Sequence, residues 1–131
     1  REHSRLELQL KLQARFPDHG DLDPVLDSLE QRGYLSDERF AEAYVEGRMR
    51  KGYGPLRIRA ELMERGISGE LVSRFLELDT ADWYQLMQAA AAAKTGKRPD
   101  LSHKTQQKTA RFLEYRGFPP SMIRRFLWYE E

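Results

Sequence analysis

One six-residue pattern constrains this chain more than any other feature. Leu29-Glu-Gln-Arg32-Gly33-Tyr34, Leu62-Met-Glu-Arg65-Gly66-Ile67 and Leu113-Glu-Tyr-Arg116-Gly117-Phe118 all read Leu-x-x-Arg-Gly-apolar. The pattern is a helix stop: arginine in the last turn favours the negative end of the helix dipole, and glycine adopts the left-handed conformation just beyond it. The following apolar residue can then fold back against the leucine. Leu12-Gln-Ala-Arg15-Phe16 is a degenerate copy without the glycine. Val72, Phe75 and Leu76 follow Ile67 at the offsets at which Ile123, Phe126 and Leu127 follow Phe118. Matched cores behind matched stops, 51 residues apart, predict duplicated helical units stacked on their neighbours.

The rest of the chain agrees with an all-α fold. Pro24, Pro55 and Pro120 suit the first turns of helices, where the missing N–H costs nothing. Asp23, Ser36, Ser68 and Ser102 are candidate N-caps. Phe40, Ala41, Tyr44, Val45 and Met49 recur at helical spacing, and no segment sustains a period of two. Eight helices are expected, near 2–15, 22–32, 36–51, 55–65, 68–78, 80–94, 102–116 and 120–130. They group as tandem three-helix repeats in an elongated, curved helical array: a partial first repeat over 1–34, a second over 35–78 and a third over 79–131. The first lacks a leading helix, so part of its apolar face should be exposed.

Composition narrows the function classes. Of 131 residues 33% are charged, with a net charge of only +1, which excludes a histone-like basic protein and an acidic tail. The absence of cysteine excludes a disulfide scaffold and a thiolate metal site, and with no apolar leader segment a cytoplasmic protein is expected. No apolar run is long enough to span a bilayer, so no membrane partner is expected. Glycine-rich phosphate loops are missing, and Lys94-Thr-Gly-Lys97 lacks both the leading glycine spacing and the trailing Ser/Thr. His3, His19 and His103 stand apart from one another and from clustered carboxylates, so neither a metal site, a cofactor nor an enzyme is expected.

Charge is unevenly distributed, and this points to a binding partner. Residues 47–60 carry +5 and residues 94–125 carry +7, between blocks at 21–46 and 61–93 that carry −6 and −4. Arg48, Arg50, Lys51, Tyr53 and Arg57 fall in the first basic block, and Lys104 and Lys108 in the second. Arginine offers forked hydrogen bonds and tyrosine offers area with a polar tip, a pairing suited to anionic or protein surfaces. On the helix near 55–65, Leu56, Ala60 and Met63 are expected to face the core with Ile58 and Leu62 beside them. Arg59 would then be half-buried against a carboxylate, and Arg57 would face solvent. Internal pairing between oppositely charged blocks is the alternative. The run Ala89 to Ala93 favours a helix and permits close helix approach.

Gly33-Tyr-Leu-Ser-Asp37-Glu-Arg-Phe40-Ala41-Glu-Ala-Tyr44-Val, then Arg48, then Gly52-Tyr53-Gly54-Pro55-x-x-Ile58-x-x-Glu61-Leu62, resembles the signature of RecX-type regulators of the bacterial recombinase RecA. Arg1-Glu2-His3-Ser4-Arg5-x-Glu7-Leu8 is similar to that family's N-terminal motif. The resemblance implies tandem three-helix units and a non-enzymatic activity. It also implies binding along the groove of the RecA nucleoprotein filament and restraint of strand exchange, ATP turnover and co-protease function. Under this reading Arg48, Arg50, Lys51, Tyr53 and Arg57, with Lys104 and Lys108, meet acidic protein surface, filament DNA (single- or double-stranded), or both, and the protein acts as a monomer. A stand-alone, sequence-nonspecific DNA-binding module and a scaffold whose charges only solubilise it are the competing readings.

Overall fold

In a computed structural model, residues 1–77, 80–96 and 102–128 are described. These residues contain eight α-helices and no strand: α1 Arg5–Arg15, α2 Asp23–Gln31, α3 Asp37–Arg50, α4 Pro55–Glu64, α5 Gly69–Phe75, α6 Thr80–Thr95, α7 His103–Arg116 and α8 Pro120–Leu127. All eight expected helices are present. Helix α1 begins three residues later than expected, and α5 ends at Phe75 rather than at 78. The expected ends at 78 and 130 lie outside the described residues.

Local chemistry sets most of these boundaries. Ser36, Ser68 and Ser102 cap α3, α5 and α7 through their side-chain oxygens. Asp23 does not act as a cap; it is the first helical residue of α2, and the Asp21 carboxylate accepts its N–H. A capping box at Ser4 and Glu7, which the sequence reading missed, starts α1.

The three repeated stops close as expected. The N–H groups of Tyr34, Ile67 and Phe118 donate to the carbonyls of Leu29, Leu62 and Leu113, and Gly33, Gly66 and Gly117 all have positive φ. A fourth stop of the same kind ends α3. There Tyr53 donates to the Arg48 carbonyl across Gly52 at φ 85°. The apolar residue folds into the core at Ile67 and Phe118, whereas Tyr34 is 75% exposed.

Two cores form rather than one. The larger unites Phe40, Ala41, Val45, Ile58, Leu62, Ile67 and Val72 with Trp83, Met87, Leu113, Phe118 and Ile123. A separate small core joins Leu22, Leu26 and Leu35, backed by Leu8, Leu12 and Leu29. The accessible surface is 8978 Å², against about 7,200 Å² for a compact monomer of this mass. The chain is therefore an extended array, and α1 and α2 leave Leu10, Phe16 and Val25 exposed.

Close glycine contacts join α1 to α4 and α4 to α7. A Cβ on Gly66 would lie 2.7 Å from the Leu6 Cβ of α1, and one on Gly117 would lie 2.4 Å from the Arg57 Cβ of α4. In both cases the glycine meets a residue sixty positions earlier. The glycine that ends α4 thus packs on the start of α1, and the glycine that ends α7 packs on the start of α4.

Candidate macromolecular interface

The first basic block lies where α3 ends and α4 begins, and its geometry is organised by one carboxylate, Glu61. Arg48 makes a forked pair with it, Nε to Oε1 at 2.9 Å and Nη2 to Oε2 at 2.8 Å. Tyr44 Oη donates to Oε1 at 2.9 Å and Arg57 Nε donates to Oε2 at 3.1 Å. Arg65 completes the turn by donating to the Glu61 main-chain carbonyl at 3.0 Å. Burial opposes the charge on Glu61, but donation from Arg48, Tyr44 and Arg57 overcomes it and lowers the carboxyl pKa. Burial likewise opposes the charge of Arg48, and hydrogen bonding to Glu61 outweighs it, raising the guanidinium pKa. For Arg57 the hydrogen bond to Glu61 is the largest influence, and the shift is also upward. Burial, then the hydrogen bond to Glu61, raises the Tyr44 phenol.

Tyr53 sits among three guanidinium groups. Arg48, Arg57 and Arg116 place their central carbons 3.9, 4.5 and 4.6 Å from its ring centroid. Arg116 also donates to the Lys51 carbonyl, and Arg57 donates to the Tyr115 carbonyl. The N-terminus of α4 docks on the C-terminus of α7, where Gly54 N–H donates to the Arg116 carbonyl at 2.8 Å and Leu56 N–H to the Gly117 carbonyl at 3.0 Å. Donors left open by one helix start are thus satisfied by acceptors left open by another helix end. This explains why α4 needs no side-chain cap.

The expected orientation of α4 is corrected. Ile58 and Leu62 are its buried residues, while Leu56, Ala60 and Met63 face outward. Arg59 is exposed, not half-buried, and Arg57 is held at the seam with its side chain 26% exposed. The two arginines have exchanged the expected roles because the Gly54–Gly117 contact, rather than the apolar count of the helix, fixes which side turns inward.

The seven residues singled out in the sequence do not form one surface. Arg48, Tyr53 and Arg57 belong to the internal network around Glu61. Arg50 and Lys51 are exposed at the end of α3, and Lys104 and Lys108 are exposed on α7. Lys97 and Arg98 of the second basic block lie outside the described residues. Glu61, Tyr44, Arg65 and Arg116 were missed as parts of this network. The available signal was the spacing: Glu61 stands four residues after Arg57 and four before Arg65, within reach of both along a helix.

Among the described residues no group of three or more His, Cys, Asp or Glu could hold a metal ion, and no helix is long and apolar enough to cross a membrane.

Comparison with known proteins accounts for this architecture. Residues 36–76 match the model of the RecX second three-helix domain, and residues 81–127 match that of the RecX third three-helix domain. The regulatory protein RecX of Pseudomonas putida strain GB-1 is 41% identical over 128 residues, covering 97% of this chain and 81% of the relative. The regulatory protein RecX of Halorhodospira halophila is 36% identical over 95% of this chain and 77% of the relative. The crystal structure of RecX from Lactobacillus salivarius shares the fold with a TM-score of 0.74 at 22% identity, covering 94% of this chain and 82% of that one. A second crystal structure, of a regulatory protein RecX, gives 0.79 at 20% identity over 99% of this chain and 65% of that one. With its tandem helical stops, its two matched three-helix domains and these relatives, the chain belongs to the RecX family of regulatory proteins.

Proposed function

We propose that this chain is a non-enzymatic, cytoplasmic regulator that binds RecA along its nucleoprotein filament and restrains strand exchange, ATP turnover and co-protease activity. The observation that carries this reading is 41% identity to a regulatory protein RecX across 97% of the chain. The units proposed for it are 1–34, 35–78 and 79–131, and it acts as a monomer.

The division of the cations gives the proposal its mechanism. Arg50, Lys51, Lys104 and Lys108 are free to meet an anionic partner surface, whereas Arg48, Tyr53 and Arg57 fix the α3–α4–α7 junction that carries Arg50 and Lys51. Bridging successive protomers with a stiff array would restrain the filament without any bond-making step. The test is pull-down of the purified chain by RecA filaments, with and without DNA, alongside RecA-dependent ATP hydrolysis. Saturable capture with falling hydrolysis is expected; capture by neither form refutes the reading.

A stand-alone nonspecific DNA-binding module is the second reading, favoured by Lys104 and Lys108 lying one helical turn apart on the exposed side of α7. It requires naked DNA to bind as tightly as the filament, with an affinity that falls steeply as salt rises.

A further inference from the structure

A groove of about 550 Å³ opens between the end of α3, the middle of α6 and α7. Its apolar lining includes Leu86, Ala89 and Ala93 from α6 and Phe112 from α7. Ala89 and Ala93 are exposed, so this wall of α6 offers accessible methyl groups beside the half-buried Leu86. Four cations line the same groove: Arg50, Lys51, Lys94 and Arg116. Lys94 Nζ lies 5.5 Å and the Arg116 guanidinium carbon 4.9 Å from the Phe112 ring centroid, so two of the charges stand beside one aromatic ring. No carboxylate lines the groove, and none pairs with Arg50, Lys51 or Lys94 among the described residues.

The groove is preformed by its own chain. Gly52, at φ 85°, brings the α3 stop against α6, where a Cβ would meet the Ala90 Cβ and Arg116 Nη1 at 3.4 Å each. Arg116 is fixed by its hydrogen bond to the Lys51 carbonyl. The alanines let a partner's main chain approach closely, as small residues do wherever helices pack tightly.

We propose that this groove is a docking site for an acidic protein segment that carries one large apolar side chain between carboxylates. An anion alone would use the cations and leave the apolar wall unfilled. An apolar segment alone would take water from Arg50, Lys51 and Lys94 and offer them no counter-charge. A duplex, whose bases are stacked inside, likewise has only sugar and phosphate to place against Leu86, Ala89 and Ala93, and the oligonucleotide arm below tests an unstacked strand. Leucine or phenylalanine seated on the methyl wall, with aspartates or glutamates reaching the rim, satisfies both halves. The inference rests on the reading that the chain works by binding another macromolecule, and it locates one surface for that contact.

The experiment uses the full chain and a labelled twelve-residue synthetic peptide with one phenylalanine flanked by aspartates, read by fluorescence anisotropy. An otherwise identical peptide with alanine replacing phenylalanine, and a dT oligonucleotide, are run in parallel. Saturable binding of the phenylalanine peptide is expected, weakened roughly tenfold when alanine replaces phenylalanine, and weakened to a similar degree by Ala93→Glu or Lys94→Glu. Arg59→Glu, the same charge change as Lys94→Glu but on α4, should leave it unaltered. Both test positions are exposed, and matched thermal melts verify that the variants fold. Absence of saturable binding, or binding indifferent to the phenylalanine and to both substitutions, overturns the proposal. So does an oligonucleotide that displaces the peptide and loses affinity through the same two variants, which would make the groove a nucleic-acid site. The peptide assay contains no RecA, so failure of the regulator reading is seen separately, in wild-type chain that neither binds nor inhibits the filament.

Discussion

Gly54 and Gly117 meet main chain to main chain: a Cβ on Gly54 would stand 2.6 Å from the carbonyl carbon and oxygen of Gly117. Nothing larger than hydrogen fits at that point, and the contact joins the start of α4 to the stop of α7. The Tyr53 and Glu61 assembly is built around this contact.

The stop glycines therefore differ in what they tolerate. Gly33 has φ 78° but nothing within 4 Å of its would-be Cβ, so Gly33→Ala carries only the left-handed backbone cost of about 1–2 kcal/mol. Gly66→Ala adds a contact with the Leu6 side chain, and Gly117→Ala adds a clash with Arg57 main chain that no rotamer relieves. Urea denaturation should rank the losses Gly33→Ala, then Gly66→Ala, then Gly117→Ala, the last exceeding the first by at least about 1 kcal/mol. Equal losses at 33 and 117 would show that the junction is not tight.

Glu61 makes stability depend on pH in a defined direction. Its carboxyl pKa is lowered in the folded chain, so its contribution is fully present above the ordinary carboxylate range near pH 4.3 and disappears as pH falls through the lowered value. Glu61→Gln keeps the shape and removes the charge, at a cost of roughly 1–3 kcal/mol at pH 7. The gap between wild-type and variant melting temperatures should be full at pH 7 and narrow steadily below pH 4. A gap that stays constant down to pH 3 would contradict the assigned network.

Charge reversal distinguishes contact residues from junction residues. Arg50→Glu with Lys51→Glu alters exposed groups and should leave the melting temperature within about 2 °C while weakening binding to the RecA filament. Arg48→Glu or Arg57→Glu brings a second carboxylate to Glu61 and should lower the melting temperature by several degrees. Parallel melts and filament pull-downs check both halves of this prediction.

Ser4 is fully buried, and its hydroxyl accepts the Glu7 N–H at 3.1 Å while Glu7 accepts the Ser4 N–H at 3.2 Å. Ser4→Ala should cost about 1 kcal/mol. Because no residue within α1 is fully buried, the loss should appear first as faster amide exchange over 5–15 rather than as a change in α7 or α8.

The sequence disclosed most of what depends on near neighbours. Each stop is a six-residue circuit closed by its own atoms, so Leu62, Gly66 and Ile67 could be read directly, as could the caps at Ser36, Ser68 and Ser102, though the Ser4–Glu7 box was missed. The facing of α4 could not be read this way. That helix is apolar on two sides, and the choice between them is made by Gly117, sixty-three positions after Gly54. The same distance effect hid the partner of Arg48, since Glu61 lies on the next helix and only folding brings the two together. Arg59 and Arg57 differ by two residues and by half a helical circumference, so an error in the facing of α4 exchanges their roles completely. The basic block was correctly seen as a concentration of charge. Its division into joint and surface depended mostly on contacts between helices, such as Arg48 with Glu61 and Tyr53 with Arg116; only the Arg57–Glu61 pair was written in local spacing.

The docking of Gly66 on Leu6 is repeated, one unit on, by the docking of Gly117 on Arg57. A coupling that recurs with the same stride sets the step between the helices it joins, and at each point it needs a bare glycine, set against the Leu6 side chain in one case and against Arg57 Cβ and main chain in the other. Like surfaces along the chain are therefore held at an interval determined by the backbone itself, as graduations are on a ruler. A partner that presents its own subunits periodically would meet a fixed scale rather than a flexible tether.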